Sequence, residues 1–383
     1  VVSTSNLIAS NFPYLSTYSV NTALPYILGS SNTLPVSVSP GGLISPNFTW
    51  EKVYQWNLGM DMALLNQRLE ASFDLYTRYT KGMLVSGQPL PAVLGTGVPV
   101  SNSADLKTNG YEISLKWQDK IGKDISYYAT VAFSDAIGTI TKFNNPTKDL
   151  GNYYVGRKQG EIWGYVAEGL FQSQAEITKH ADQSQLFGGA WNPGDVMYKD
   201  LNGDGKITPG NNTLDSSGDR KIIGNTTPRY QYSLSTGLTW KSFDLDIMLQ
   251  GVGKMDFVPD GRFYGISSQW DVPMQAANDF WSFENTGNFL PRPYIDGGHG
   301  NRNTNTRYLQ NAAYLRVKQL TIGYSLPAKW TEKIAVSQFR LYFTGQNILT
   351  LTKLSKLYDP ENLSLMGYPI TKSYSFGLNI TFK

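Results

Sequence analysis

The 383 residues contain no cysteine and two histidines, and no apolar run reaches 18 residues. Without cysteine there is no disulfide framework and no thiolate metal site. Without a long apolar run no helix spans a bilayer. His180 and His299 are the only imidazoles, and no GxSxG, HExxH or P-loop spacing accompanies them, so nucleophilic and zinc catalysis have no visible machinery. No enzymatic activity is expected. An excess of one charge is also missing: 33 basic against 30 acidic residues leave a net charge of +3, which is no electrostatic footprint for DNA or RNA. The chain opens without a basic start or an apolar signal segment.

What is present is alternation. From Trp50 one register reads Trp50, Tyr54, Trp56, Leu58, Met60, Met62 and the other Glu51, Gln55, Asn57, Gly59, Asp61. A period of two marks opposite faces of a β-strand. Eight more stretches repeat the pattern, beginning near Leu69, Tyr111, Tyr127, Tyr230, Phe243, Leu320, Phe339 and Tyr374. Each has one oily and one wet flank. The wet flank includes Asp61, Arg68, Glu70, Asp74, Arg78 and Arg340, residues expected to line an enclosed interior rather than to act as catalytic pairs. The alternation slips near Arg316 to Gln319, as a bulge would make it do.

Many of these stretches run on the order of 10 to 15 residues, long enough at a steep tilt to cross an apolar band roughly 25 Å tall. Gaps alternate between short (Leu65-Asn66, Lys120 to Lys123, Lys241-Ser242, Pro327 to Lys333) and long (Val85 to Leu106, Gly138 to Thr227, Val258 to Arg307, Leu351 to Pro369). Short turns thus fall at one end of the sheet and long loops at the other, the arrangement of a bacterial outer-membrane barrel with its carboxyl terminus in the periplasm. The expected fold is all-β, an antiparallel transmembrane β-barrel. Nine is an odd count, and an open sheet would leave two unpaired edges in lipid. The expectation is therefore the carboxyl-terminal part of a larger barrel, with residues 1–49 as one extracellular loop and 138–227 as the longest.

Seven stretches then match a known family in order: SPNFTWEKVYQWNLGMDMALLNQRLEASFDLYTRYTKGML from Ser45, NGYEISLKW from Asn109, GLFQSQAEI from Gly169, NPGDVMYKDLNGDGKI from Asn192, GDRKIIGNTTPRYQYSLS from Gly218, AAYLRVKQLTIGYSLP from Ala312 and FRLYFTGQNILTLTK from Phe339. The chain resembles the carboxyl-terminal part of a SusC/RagA-type TonB-dependent outer-membrane transporter of the Bacteroidetes. The resemblance covers nearly the whole chain, without a signal peptide, TonB box or plug domain. It implies a plugged barrel of about 22 strands that imports oligosaccharides or peptides, with a SusD-like surface lipoprotein as lid, the TonB complex as energy source, and lipid around it. Two other functions compete: a surface receptor or adhesin barrel that passes nothing, and a soluble β-rich carbohydrate-binding or hydrolytic domain whose oily faces pack on a second sheet.

Three local features bear on sites. Asp200-Leu-Asn-Gly-Asp-Gly-Lys206 resembles the first half of a calcium loop, with oxygens at Asp200, Asn202 and Asp204, the turn glycine Gly205, and the carbonyl of Lys206. Position twelve is Asn211 where a bidentate Glu would stand, leaving Asp215 or Asp219 to substitute. Calcium or magnesium is one reading, and an ion-free Asx-rich turn is the other. Trp191, Trp270, Trp281 and Tyr264, with Tyr153, Tyr154 and Tyr294, lie outside the strand pattern. They are candidates for stacking on substrate or a lid, and equally for filling the core of folded loops. Gln174 to Lys179 is the best short helix, set in the longest loop.

Overall fold

The computed structural model describes residues 18–21, 36–46, 48–86, 90–259, 279–294, 299–331, 335–364, 367–368 and 370–382. The expected nine strands form one nine-stranded sheet. They are β1 (Lys52–Leu64), β2 (Leu69–Ser86), β3 (Val100–Ile121), β4 (Ile125–Lys142), β5 (Arg229–Trp240), β6 (Phe243–Lys254), β7 (Tyr314–Ser325), β8 (Val336–Thr352) and β9 (Ser373–Phe382). Each strand pairs with its neighbour in sequence, so the sheet is an up-and-down meander with β1 and β9 at its two ends. Among the described residues these ends do not meet.

The turns explain the meander. Leu65, Asn66 and Gln67 all take positive φ between β1 and β2, Gly122 does so between β3 and β4, and Lys241 between β5 and β6. Such left-handed residues match the twist of the strands that a tight hairpin joins. The fourth short connection holds a one-turn helix, Ala328–Thr331, where a plain turn was expected. β2 and β3 reach closer to each other than the alternation indicated, running to Ser86 and starting at Val100.

The sheet's apolar flank is bare. Val131 on β4 and Ile322 on β7 each have paired strands on both sides, yet they are 43% and 46% exposed. No second layer covers them among the described residues. A water-soluble sandwich buries that flank, so the second-sheet alternative loses its premise. The buried clusters belong instead to the long-loop side. One joins Val252, Met255, Leu290, Ala312, Tyr314, Leu354 and Tyr358; the other joins Tyr165, Leu170, Val196, Tyr198, Ile207, Trp281 and Tyr308.

The chain divides into two compact units, residues 1–56, 77–109 and 138–158 in one, and 57–76, 110–137 and 159–383 in the other. In the first, Tyr18–Asn21 pairs with Ser37–Pro40. Asn102 there ties three segments: its Oδ1 accepts from Thr49 N at 2.8 Å, and its amide donates to Thr49 O and Gly82 O at 2.8 and 2.6 Å.

The irregular stretch at Arg316 is a β-bulge. Pairing of β7 with β8 shifts between Val317 and Gln319, and pairing with β6 shifts at the same place. Lys318 is the extra residue. The bulge lets Arg316 sit 1% exposed, its guanidinium meeting Asp359 Oδ2 at 2.5 Å and Glu361 Oε2 at 2.8 Å, with Lys318 Nζ also 2.8 Å from Glu361.

Candidate functional site: a polar wall and folded loops

The wet flank of the strands is knitted by cross-strand charge pairs. Arg68 meets Asp119 at 3.1 Å and Lys116 meets Glu70 at 3.2 Å. Arg340 on β8 reaches across β7 to Asp244 on β6 through two hydrogen bonds. Gly323 makes that crossing possible, because a Cβ there would lie 2.4 Å from the Asp244 carboxylate. Tyr128 does the same over Gly237, donating its hydroxyl to Asp246 Oδ1 at 3.0 Å. Asp74 accepts from the Asn57 amide at 3.3 Å. These charges make a stiff polar wall, as such a barrel interior requires.

A groove of about 440 Å³ opens on the sheet, lined by Ser72, Asp74, Glu112, Ser114, Ser134, Gln231, Ser233 and Gln250 together with Tyr232 and Phe133. It offers hydroxyls, amides and two carboxylates, chemistry that binds a polar solute. Neither histidine is there. His180 Nε2 lies 3.9 Å from Glu168, with its ring edge-on to Phe171, and His299 is buried in the loops.

The long loops fold around a buried carboxylate that no local motif marks in the sequence. Asp195, 0% exposed, accepts from Asn192 N at 2.7 Å, Asn301 Nδ2 at 2.9 Å and the Tyr294 hydroxyl at 3.1 Å. His299 Nε2 stands 3.4 Å away, while its Nδ1 accepts from Asn301 N at 3.2 Å. Burial and the neighbouring Asp195 push the Tyr294 hydroxyl up to about 12. Burial drives Tyr198 well above its ordinary value, and its hydroxyl donates to Gly300 O at 2.7 Å. The partners lie some 100 positions apart in the chain, which is why no local pattern announces them.

Of the expected loop residues, Trp281, Trp191 and Tyr294 belong to this core. Trp281 is buried within it and donates to Gln172 Oε1 at 3.4 Å. Trp191 packs edge-on to Tyr198 and His299. Tyr294 stacks on His299, ring centres 3.9 Å apart. Tyr154 is buried and Tyr153 half exposed, both beside Arg157. Trp270 and Tyr264 lie outside the described residues. Gln174–Lys179 is α1 (Gln174–Lys179), capped by Ser173, whose hydroxyl accepts from Glu176 N; Glu176 in turn accepts from Gln172 N. The Ser-x-x-Glu spacing is that of a capping box, with Glu176 reaching the amide of Gln172, one residue before the cap.

In the Asp200 loop the oxygens engage backbone amides. Asp200 accepts from Gly203 N and Gly205 N at 2.7 and 2.8 Å, Asn202 from Asp204 N at 3.0 Å, and Asp204 from Lys206 N at 2.8 Å. The Gly205 amide leads the bonds that hold the Asp200 carboxyl below its usual range. Asp219, fully buried, spans the loop's two ends, accepting from Leu201 N at 2.8 Å and Thr208 N at 2.7 Å. No group of three acidic or imidazole side chains converges among the described residues.

A family model described as TonB dependent receptor-like, beta-barrel, matches residues 9–348. The chain belongs to this TonB-dependent receptor family. Among its relatives, TonB-dependent receptor P3 of Formosa agariphila is 29% identical over 88% of this chain and 34% of its own length. TonB-dependent receptor SusC of Bacteroides thetaiotaomicron is 25% identical over 98% of this chain and 36% of its own. The chain thus spans little more than a third of the TonB-dependent receptors it matches. A solved RagAB peptide transporter shares the fold at a TM-score of 0.69 and 23% identity, covering 97% of this chain and 39% of that one. Members of this family are outer-membrane proteins built as β-barrels, and they are receptors and transporters rather than enzymes.

Proposed function

We propose that these nine strands form part of the wall of an outer-membrane importer that takes up an oligosaccharide or oligopeptide, driven by TonB and working with a SusD-like lipoprotein lid. The observation that carries the reading is the bare apolar flank, exposed even on interior strands such as β4 and β7, opposite a polar flank cross-braced by charge pairs. Lipid tails are the solvent that suits the first, and a water-filled or plugged interior suits the second. The long loops, carrying their own buried cores, would stand outside the cell, and the short turns in the periplasm. The RagAB peptide transporter among the similar structures supports peptide as cargo, and oligosaccharide is what the resemblance in the sequence implies.

The Asp200–Lys206 loop is proposed to keep its shape through the amide bonds and Asp219, and to accept calcium or magnesium as an addition to that frame. A calcium titration followed by calorimetry tests this; absence of binding heat at millimolar calcium removes the ion and leaves the turn.

The function is tested by deleting the transporter gene in its native host and following uptake of labelled oligosaccharides and oligopeptides. Loss of uptake of one class, restored by the wild-type gene, is the expected result. Unchanged uptake of both, with the protein still at the cell surface, would favour a receptor that passes nothing.

A further inference from the structure

The apolar flank carries an aromatic belt near the long-loop end, and beyond part of it stands a set of lysines that have no acidic partner among the described residues. Tyr54 and Tyr79 are 54% and 37% exposed, on the same register as Trp56, Leu58 and Leu75. Lys81 Nζ lies 5.5 Å from the Tyr54 ring centre and Lys107 Nζ 5.4 Å from that of Tyr79. Lys52, exposed and two residues before Tyr54, occupies the same flank of β1. Three adjacent strands thus each bring a lysine to one rim. The carboxylates on these strand ends are turned to the backbone: Glu51 Oε1 accepts from Leu84 N at 3.2 Å, and Asp105 Oδ1 from Gly82 N at 2.8 Å. On β4 and β5 the corresponding charges are neutralised within the wall, Arg229 meeting Asp135 through two bonds of 2.5 Å.

Like charges on neighbouring strands repel, and a sheet places them together at a cost. A lysine whose ammonium stands over an exposed tyrosine ring at the end of an apolar flank is placed for the boundary between hydrocarbon and headgroup. Three lysines on three neighbouring strands, two of them with the ammonium over a tyrosine ring, suit an anion with several oxygens. We propose that Lys52, Lys81 and Lys107 form a docking rim for the phosphate of an anionic glycolipid headgroup in the outer leaflet. The tyrosine faces would lie beside its sugar and upper acyl carbons. The proposal rests on the outer-membrane reading above and adds a specific lipid contact to it.

The test uses the full-length transporter purified from outer membranes, as wild type and as the variant Lys52→Gln/Lys81→Gln/Lys107→Gln. Phosphate-bearing glycolipid retained per protein is measured by mass spectrometry after detergent exchange. Each lysine beside an anionic lipid surface is worth roughly five-fold in binding, so retention is expected to fall at least about ten-fold in the variant. Thermal unfolding in vesicles is the second measure. Adding a phosphate-bearing glycolipid to zwitterionic vesicles raises Tm for the wild type and not for the variant. Equal retention and equal Tm response in the two proteins overturn the proposal. A rise in Tm with inorganic phosphate alone, abolished in the variant, also overturns it and marks a soluble-anion site. If the wild type resides in the outer membrane and imports solute yet holds no glycolipid, this proposal fails alone. If it is absent from that membrane, both fail together.

Discussion

A single buried carboxylate does much of the positioning in the loops. Asp219 accepts two backbone amides that bracket Leu201 to Thr208. Replacing it with alanine leaves both amides unpaired, at a cost of about 3 kcal/mol given the strength of hydrogen bonds to charged groups. Hydrogen exchange across residues 198–208 should then rise, with the strand peptides unchanged. Acid should open the same loop. Backbone amides hold Asp200 below its ordinary carboxyl value of 3.8, and the Ser184 amide does the same for Asp182. A depressed folded value means the contribution is complete above the unfolded value and disappears as pH falls through the folded one. Protection of the loop amides, relative to unstructured peptide at the same pH, is therefore expected to be flat from neutrality down to about pH 4 and to fall below it; a fall beginning near pH 6 would contradict the assignment.

Among the elements, the strands were the most readable part of the sequence, because burial of one flank and exposure of the other leave a two-residue period that survives without any alignment. Their ends were not. Val100 to Leu106 shows no oily register, yet β3 starts at Val100, since a strand that has left the lipid zone no longer needs one. Helix α1 was readable because its cap is local, whereas Asp195, Tyr294 and His299 were not, because their partnership is made across roughly 100 residues. The bulge at Lys318 offers a sharp test. Deleting Lys318 makes Val317 and Gln319 neighbours opposite Leu249 and Met248, so Arg316 keeps its flank opposite Gln250, but the bond from Lys318 to Glu361 is lost and two residues of β8 are left unmatched between Gln346 and Leu349. The deletion variant should unfold at a lower temperature than Lys318→Ala, which keeps the residue count and the bulge, and equal unfolding temperatures would mean that the bulge does not hold Arg316 on its carboxylates. Gly237→Ala should lower the unfolding temperature by displacing the Tyr128 ring, which a Cβ would approach to 2.3 Å.

For the molecule as a whole, the two flanks must answer to different solvents. Val131→Arg, in the middle of the apolar flank, is expected to cost about 2 to 4 kcal/mol in a bilayer. Thr130→Arg, one residue along and on the other flank, should be close to neutral. Urea unfolding in vesicles distinguishes them, and equal effects would mean that neither flank touches lipid.

The second loop core draws Tyr165, Leu170, Val196, Tyr198 and Ile207 from one insertion and Trp281 and Tyr308 from another. Neither insertion can fold on its own terms. A chimaera that exchanges residues 143–228 with those of a relative, and leaves 255–313 behind, would present a foreign half to Trp281 and leave Asn301 and Tyr294 without the Asp195 carboxylate to which they donate. Inheritance should therefore move these two segments as one block, and new cargo preferences should arise by swapping the pair or by changing the rim while the shared heart is conserved.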